Sequence, residues 1–216
     1  PNERVGFKLR YEDEDLLVVE KPPHVVTAPG LAHEHDSLMN GLFAQFGAQL
    51  QNLGKQRDFG LLHRLDRETS GLVLVALKSS VYDAMRVMFE TRAIAKFYWA
   101  IVKGAPNKPT GVIKRPIAEY QGSPKGGGGK SAGVRGETGR MKLARISSAG
   151  KPAVTAYRTI ETSVLGSLLE CRAVTGRLHQ IRVHLASIGS PIVGDTYYAN
   201  ASVRSAAPRL ALLVSA

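Results

Sequence analysis

The stretch that most restricts this chain runs from Leu61 to Leu77. In Leu61-Leu62-His63-Arg64-Leu65-Asp66-Arg67-Glu68-Thr69-Ser70-Gly71 a carboxylate stands between two arginines. Leu72-Val73-Leu74-Val75-Ala76-Leu77 follows, with no charge and no polar alternation. Such a run reads as a strand covered on both faces, so any compact fold must deliver Asp66 to the edge of its core. Thr69, Ser70 and Gly71 supply turn chemistry at the strand entry. On spacing alone, a structural ion pair and an active-site carboxylate are equally good readings of Asp66.

Upstream, Phe7 to Tyr11 and Leu16 to Glu20 read as two short strands joined by the acidic turn Glu12-Asp13-Glu14-Asp15. Lys21-Pro22-Pro23 ends the second strand, because proline cannot donate to a ladder. Asp36 is placed to cap a helix reaching about Phe46. Leu38, Leu42 and Phe46 would lie on one face, Gly47 would close the helix, and a polar loop from Gln49 to Asp58 would follow. Beyond the central stretch, Ser79-Ser80 opens a second helix with Val81, Met85, Met88 and Phe89 on its apolar face.

Residues Ile94 to Val102 alternate. Phe97, Trp99 and Ile101 are expected to face the core, and Tyr98 to stand opposite, where it could meet a base. Lys151 to Tyr157 and Leu168 to Val174 read as a returning pair of strands. In Thr175-Gly176-Arg177-Leu178-His179-Gln180-Ile181-Arg182-Val183-His184-Leu185, residues Leu178, Ile181, Leu185 and Ile188 form one helical stripe. Arg182 falls about 40° from Leu178, at the stripe's edge, where an arginine needs an acidic partner. Asp66 is the candidate. His179 and His184 do not share a face, which argues against a zinc pair, and helix-surface hydrogen bonds are expected for both. Asp195 is expected to fix a turn.

Charge narrows the partner. The net charge is +11, and between Lys114 and Lys151 nine Lys or Arg face two Glu, so this window holds +7 of it. A polyanion is the expected partner, and nucleic acid fits better than a membrane because no long apolar or basic amphipathic helix is evident. Residues 120–139 form a Gly/Lys-rich insert with too little apolar area to order itself, and a basic arm that tracks phosphates is its expected role. Gly126 to Ser131 lacks the spacing and flanking elements of a nucleotide-binding loop. The lone cysteine, Cys171, excludes an internal disulfide framework and points to the cytoplasm, with the thiol as core filler.

His63-Arg64-Leu65-Asp66-Arg67-Glu68-Thr69-Ser70-Gly71 resembles the signature of the large-subunit-type (RluA-like) pseudouridine synthases. Lys96-Phe97-Tyr98 is similar to that family's second motif. Thr175 to His184, continued by Gly189 to Tyr198, is similar to its third. The resemblance runs from about Tyr11 to Leu213, interrupted by the insert. It implies an α+β fold with a mixed, mainly antiparallel central sheet, flanking helices and a cleft between two lobes. One catalytic domain over residues 1–216 is expected, with no separate N-terminal RNA-binding domain.

The resemblance also implies roles. Asp66 would be the catalytic carboxylate, Tyr98 would stack on the uracil, and Arg182 would pair with Asp66. Arg64 would fill the space a flipped uridine leaves, and Arg67 would contact phosphate. Lys96, Arg177, His179, Lys125, Lys130, Arg135 and Arg140 complete the expected RNA contacts. The implied reaction is uridine to pseudouridine in rRNA or tRNA by a monomer, without cofactor or metal. The competing class is a non-catalytic RNA-binding or ribosome-assembly protein on the same fold. A hydrolase using His63 and Asp66 is weaker, since no nucleophile or metal set accompanies them.

Overall fold

The computed structural model describes residues 1–122 and 141–215. Their contacts divide the chain into two units, residues 1–94 with 214–216 and residues 95–213.

In the first unit, β1 (Lys8–Glu12) pairs antiparallel with β2 (Leu16–Lys21). The turn between them is a hydrogen-bonded aspartate turn, in which Asp13 Oδ1 accepts the N–H groups of Asp15 and Leu16. Lys78 reaches Asp15 at 2.8 Å and Glu14 at 3.1 Å, so the acidic residues are surface ion-pair partners. β2 alternates strictly, burying Leu17, Val19 and Lys21.

The first helix departs from expectation. α1 (Leu38–Leu53) is capped by Ser37, whose Oγ accepts the Asn40 N–H, while Asp36 pairs with His33. The helix bends at Phe46 and runs on past Gly47. Leu42, Phe46, Leu50 and Leu53 are all buried, so the apolar stripe crosses the glycine and outweighs its low helix propensity. A 3-10 turn over Lys55–Gly60 follows, in place of an extended polar loop.

β3 (Ser70–Ala76) pairs antiparallel with β2 and has no exposed residue, as its composition requires. At Gly71, φ is +121° and a Cβ would sit 2.5 Å from the Val214 carbonyl oxygen, so only glycine fits. α2 (Ser79–Glu90) is anchored by Tyr82, its one buried residue. Val81, Met85 and Phe89 pack around that cluster, but Met88 turns outward, and Lys78 takes the cap position before the two serines.

The second unit opens with β4 (Phe97–Val102), β5 (Thr110–Lys114), β6 (Ile117–Gly122) and β7 (Met141–Ile146). β8 (Val154–Thr162) and β9 (Ser167–Ala173) are the expected returning pair. The strands β4, β9, β8 and β5 neighbour one another in that order, all antiparallel. β6 and β7 form a separate antiparallel ladder whose connecting segment contains the basic insert; the insert lies outside the described residues, apart from its first three. α3 (Gln180–Ser187) sends Ile181 and Leu185 into a cluster with Ala100, Val102, Leu169 and Cys171. Burial pushes the Cys171 thiol up to about 12, which suits core filler. Leu178 precedes the helix and packs on a second cluster with Val183 and Ile117. A short α4 (Ala201–Arg204) and β10 (Leu212–Ser215) complete the chain.

The faces of β4 are the reverse of those expected. Ala100 and Val102 are fully buried, and Tyr98 packs on the same cluster. Trp99 and Ile101 are 47% and 49% exposed. Both faces of this strand are apolar, so alternation could not choose between them; the small Ala100 suits the side where α3 packs. The α+β class and the mainly antiparallel sheet are as expected. Among the described residues, no helix is long and apolar enough to cross a membrane.

Candidate active site

The residues singled out from sequence fall into two groups, one in each unit. In the first, the half-buried Asp66 lies between the buried Leu65 and the exposed Arg67. The main chain on both sides of it is tied down. Thr27 Oγ1 donates to the Leu65 carbonyl at 2.8 Å and accepts the Leu65 N–H at 3.0 Å. Lys21, with no exposed surface, donates from Nζ to the carbonyls of Pro22 (2.8 Å), Val25 (2.7 Å) and Arg67 (3.2 Å). The Thr69 N–H closes the turn onto the Asp66 carbonyl at 3.1 Å.

An ammonium has three N–H donors, and here each finds a carbonyl, which is how the fold accommodates a buried charge. Burial pulls the Lys21 ammonium down to about 8, against the opposing pull of Glu68 and Asp66. Two buried polar side chains thus hold the backbone on either side of one carboxylate.

The residues flanking Asp66 in sequence are themselves tied down or exposed. Glu68 accepts from His24 at 2.7 Å, and Arg67 leans toward Glu68 at 3.8 Å and donates to the His24 carbonyl at 3.3 Å. Arg64 is exposed. His63 accepts the Leu74 N–H through Nε2 at 3.2 Å, fastening the stretch to β3.

In the second unit, α3 and the turn after it hold Arg182. Only 1% of Arg182 is exposed, well beyond the edge position that helical spacing assigns it. Its Nε donates to Asp195 Oδ2 at 2.9 Å and its Nη2 to Asp195 Oδ1 at 2.8 Å. Arg182 thus has the acidic partner that its position requires, and within this unit the partner is Asp195. Asp195 also fixes its own turn, since Oδ1 accepts the N–H groups of Tyr197 (2.8 Å) and Tyr198 (3.1 Å). Burial raises the Asp195 carboxyl, but Arg182 and these two N–H groups more than offset that and leave it below the usual range. Gly194 lets the Arg209 main chain pack against this turn: its φ is +75°, and a Cβ there would strike the Arg209 carbonyl oxygen.

The guanidinium also lies against two rings, 4.8 Å from the centroid of Tyr197 and 5.3 Å from that of Tyr198. His179 stacks on Tyr197 at 5.6 Å, and its Nδ1 is 2.7 Å from the Tyr198 hydroxyl, which accepts the Ala144 N–H. Arg177 donates to the Pro152 carbonyl. Lys96 is half-buried and pulled down by burial, its Nζ 3.5 Å from where a Cβ on Gly176 would lie. His184 is fully buried, held by Thr155 Oγ1 and the Arg115 carbonyl, both at 2.9 Å, so it is a core residue of α3 and not a surface one. Burial lowers its pKa. Lys125, Lys130, Arg135 and Arg140 lie outside the described residues.

Sequence reasoning missed three participants. Lys21 occupies the inward phase of β2, and that phase was the available signal. Thr27 left none. Asp195 is expected to fix a turn, which it does, but spacing gives no sign of its ion pair.

The profile of the RNA pseudouridylate synthase family matches residues 15–187. The chain belongs to that family. It is 35% identical over 90% of its length to a "Ribosomal large subunit pseudouridine synthase D" of Zymomonas mobilis, and 34% identical over 93% to the protein of that name in Nitrosomonas europaea. It spans about half of these relatives, 56% and 52% of their lengths. Among solved structures it resembles "Human RNA Pseudouridylate Synthase Domain Containing 1", with a TM-score of 0.68 and 25% identity, covering 99% of this chain and 78% of that one.

Proposed function

We propose that this chain isomerises uridine to pseudouridine in structured RNA. The observation that carries the reading is the clamped main chain at Asp66: Thr27 on one side and Lys21 on the other fix a segment that presents one carboxylate. Buried polar groups cost stability unless fully satisfied, and here they are used to position a single acidic side chain.

In the proposed reaction the C1′ to N1 glycosidic bond breaks, a C1′ to C5 bond forms, and the C5 proton leaves as N1 gains one. Atoms and electrons balance without an oxidant or an energy source. Asp66 is the reacting carboxylate, and Arg182 supports it through directed N–H donors. Tyr98 holds the detached uracil while it turns. A uridine in a helix must be flipped out first, at a cost of a few kcal/mol, and Arg64 occupies the space it leaves. Arg67, Lys96, Arg177, His179, Lys125, Lys130, Arg135 and Arg140 contact the RNA backbone. The names of the relatives favour ribosomal RNA over transfer RNA. A monomer working in the cytoplasm completes the reading.

Incubation with uridine-containing RNA tests it. Pseudouridine without chain cleavage is the expected product, and Asp66→Asn should abolish it while RNA affinity stays within about twofold. Chain cleavage would make the protein a hydrolase, and binding without product would make it a non-catalytic RNA-binding protein. Product from the Asn variant would remove Asp66 from its role.

A further inference from the structure

The family resemblance assigns Arg182 a role and leaves Asp195 as a turn residue, yet Asp195 grips the guanidinium directly and anchors the turn that carries Tyr197 and Tyr198. An arginine side chain turns about four bonds, so a well-placed backbone does not by itself place the guanidinium. Asp195 removes that freedom with two parallel hydrogen bonds, and the Tyr197 and Tyr198 rings close over the same group. Asp195 is in turn fixed by the backbone N–H groups of residues 197 and 198, so the carboxylate cannot swing away. Of the five N–H donors of the guanidinium, Asp195 takes two and leaves three for other partners. The bidentate pair is also neutral as a whole, so what it offers a reacting centre is direction more than charge.

We propose that Asp195 is a positioning residue for the reaction, acting through Arg182: it sets where the remaining guanidinium donors point when uridine is bound. The proposal rests on the functional reading above, because it takes Arg182 to serve the reacting carboxylate.

A double-mutant cycle separates this role from a purely structural one. Asp195→Asn keeps an oxygen for the N–H groups of residues 197 and 198 but turns an amide N–H toward the arginine, so the turn survives and the grip fails. Kinetic constants are measured for the wild type, Asp195→Asn, Arg182→Met, and the double variant. The double variant carries neither charge and so avoids stranding a buried ion. Asp195→Asn should lower kcat about a hundredfold with KM for RNA within about twofold. In the Arg182→Met background the same change should cost less than about twofold, because its target is gone. Losses that multiply would overturn the proposal, as would an Asn variant with full activity.

A second measurement holds even if the chain makes no pseudouridine, a result that would defeat the functional reading by itself. In the wild type, the Arg182 Nε–H should be protected from solvent exchange by NMR, and Asp195→Asn should remove that protection. Equal protection in both would show that Asp195 does not set the guanidinium.

Discussion

The surroundings of Asp66 and of Arg182 solve the same problem by different means. Around Asp66 the structure fixes main-chain atoms: Thr27 holds both polar groups of Leu65, and Lys21 holds the Arg67 carbonyl. Around Arg182 it fixes the side chain itself, through the two oxygens of Asp195 and two tyrosine rings. The difference follows from reach. An aspartate has two side-chain torsions, so a rigid backbone nearly fixes its carboxylate, whereas an arginine's longer chain must be held at its far end.

The largest effect is expected at Lys21. Lys21→Met fills the space but leaves the three carbonyls without their donor, and a loss of about 2–4 kcal/mol is expected by urea denaturation. Because Asp66 is held through its backbone, product formation should fall along with stability. A stable Met variant with unchanged activity would show that the first region needs no such clamp. Thr27→Val is the milder version, expected to cost about 1–2 kcal/mol by the same measurement.

Both regions also tie stability to pH, each in its own window. Lys21 titrates at about 8 in the folded chain against 10.5 for an ordinary lysine. Between those values the unfolded chain binds more protons than the folded one, so Lys21 makes stability rise with pH through that window, and the penalty is full below it. Thermal melts from pH 8 to 10.5 should show this contribution in the wild type and lose it in Lys21→Met. Asp195 has the same sign in a lower window: its lowered pKa also makes stability rise with pH, so a contribution present at neutral pH is lost as pH falls through the carboxylate range. The smallest effect is expected outside both regions: Trp99→Ser, on the exposed face of β4, should move stability by no more than about 0.5 kcal/mol. A larger loss would mean that this face is covered in solution.

Much of this was legible in the sequence, where local pattern and physical constraint coincide. An uncharged run such as Leu72 to Leu77 has nowhere to go but the interior, and β3 is the result. The returning strands β8 and β9, the stripe of α3 at Ile181 and Leu185, and the need of Arg182 for an acid all follow from spacing. Spacing could not say which face of β4 would be buried, because Phe97, Trp99 and Ile101 are as apolar as Tyr98, Ala100 and Val102. Nor could it carry α1 past Gly47, where burial of Leu50 and Leu53 overrides a local stop signal.

Local pattern in the chain therefore dictates which segments must be interior. The tertiary structure alone decided which polar groups meet: Lys21 with the carbonyl of Arg67, Thr27 with Leu65, Arg182 with Asp195. The physical reason is that hydrophobic periodicity is a property of one segment, whereas a buried charge is satisfied only by a partner that folding brings to it from elsewhere in the chain.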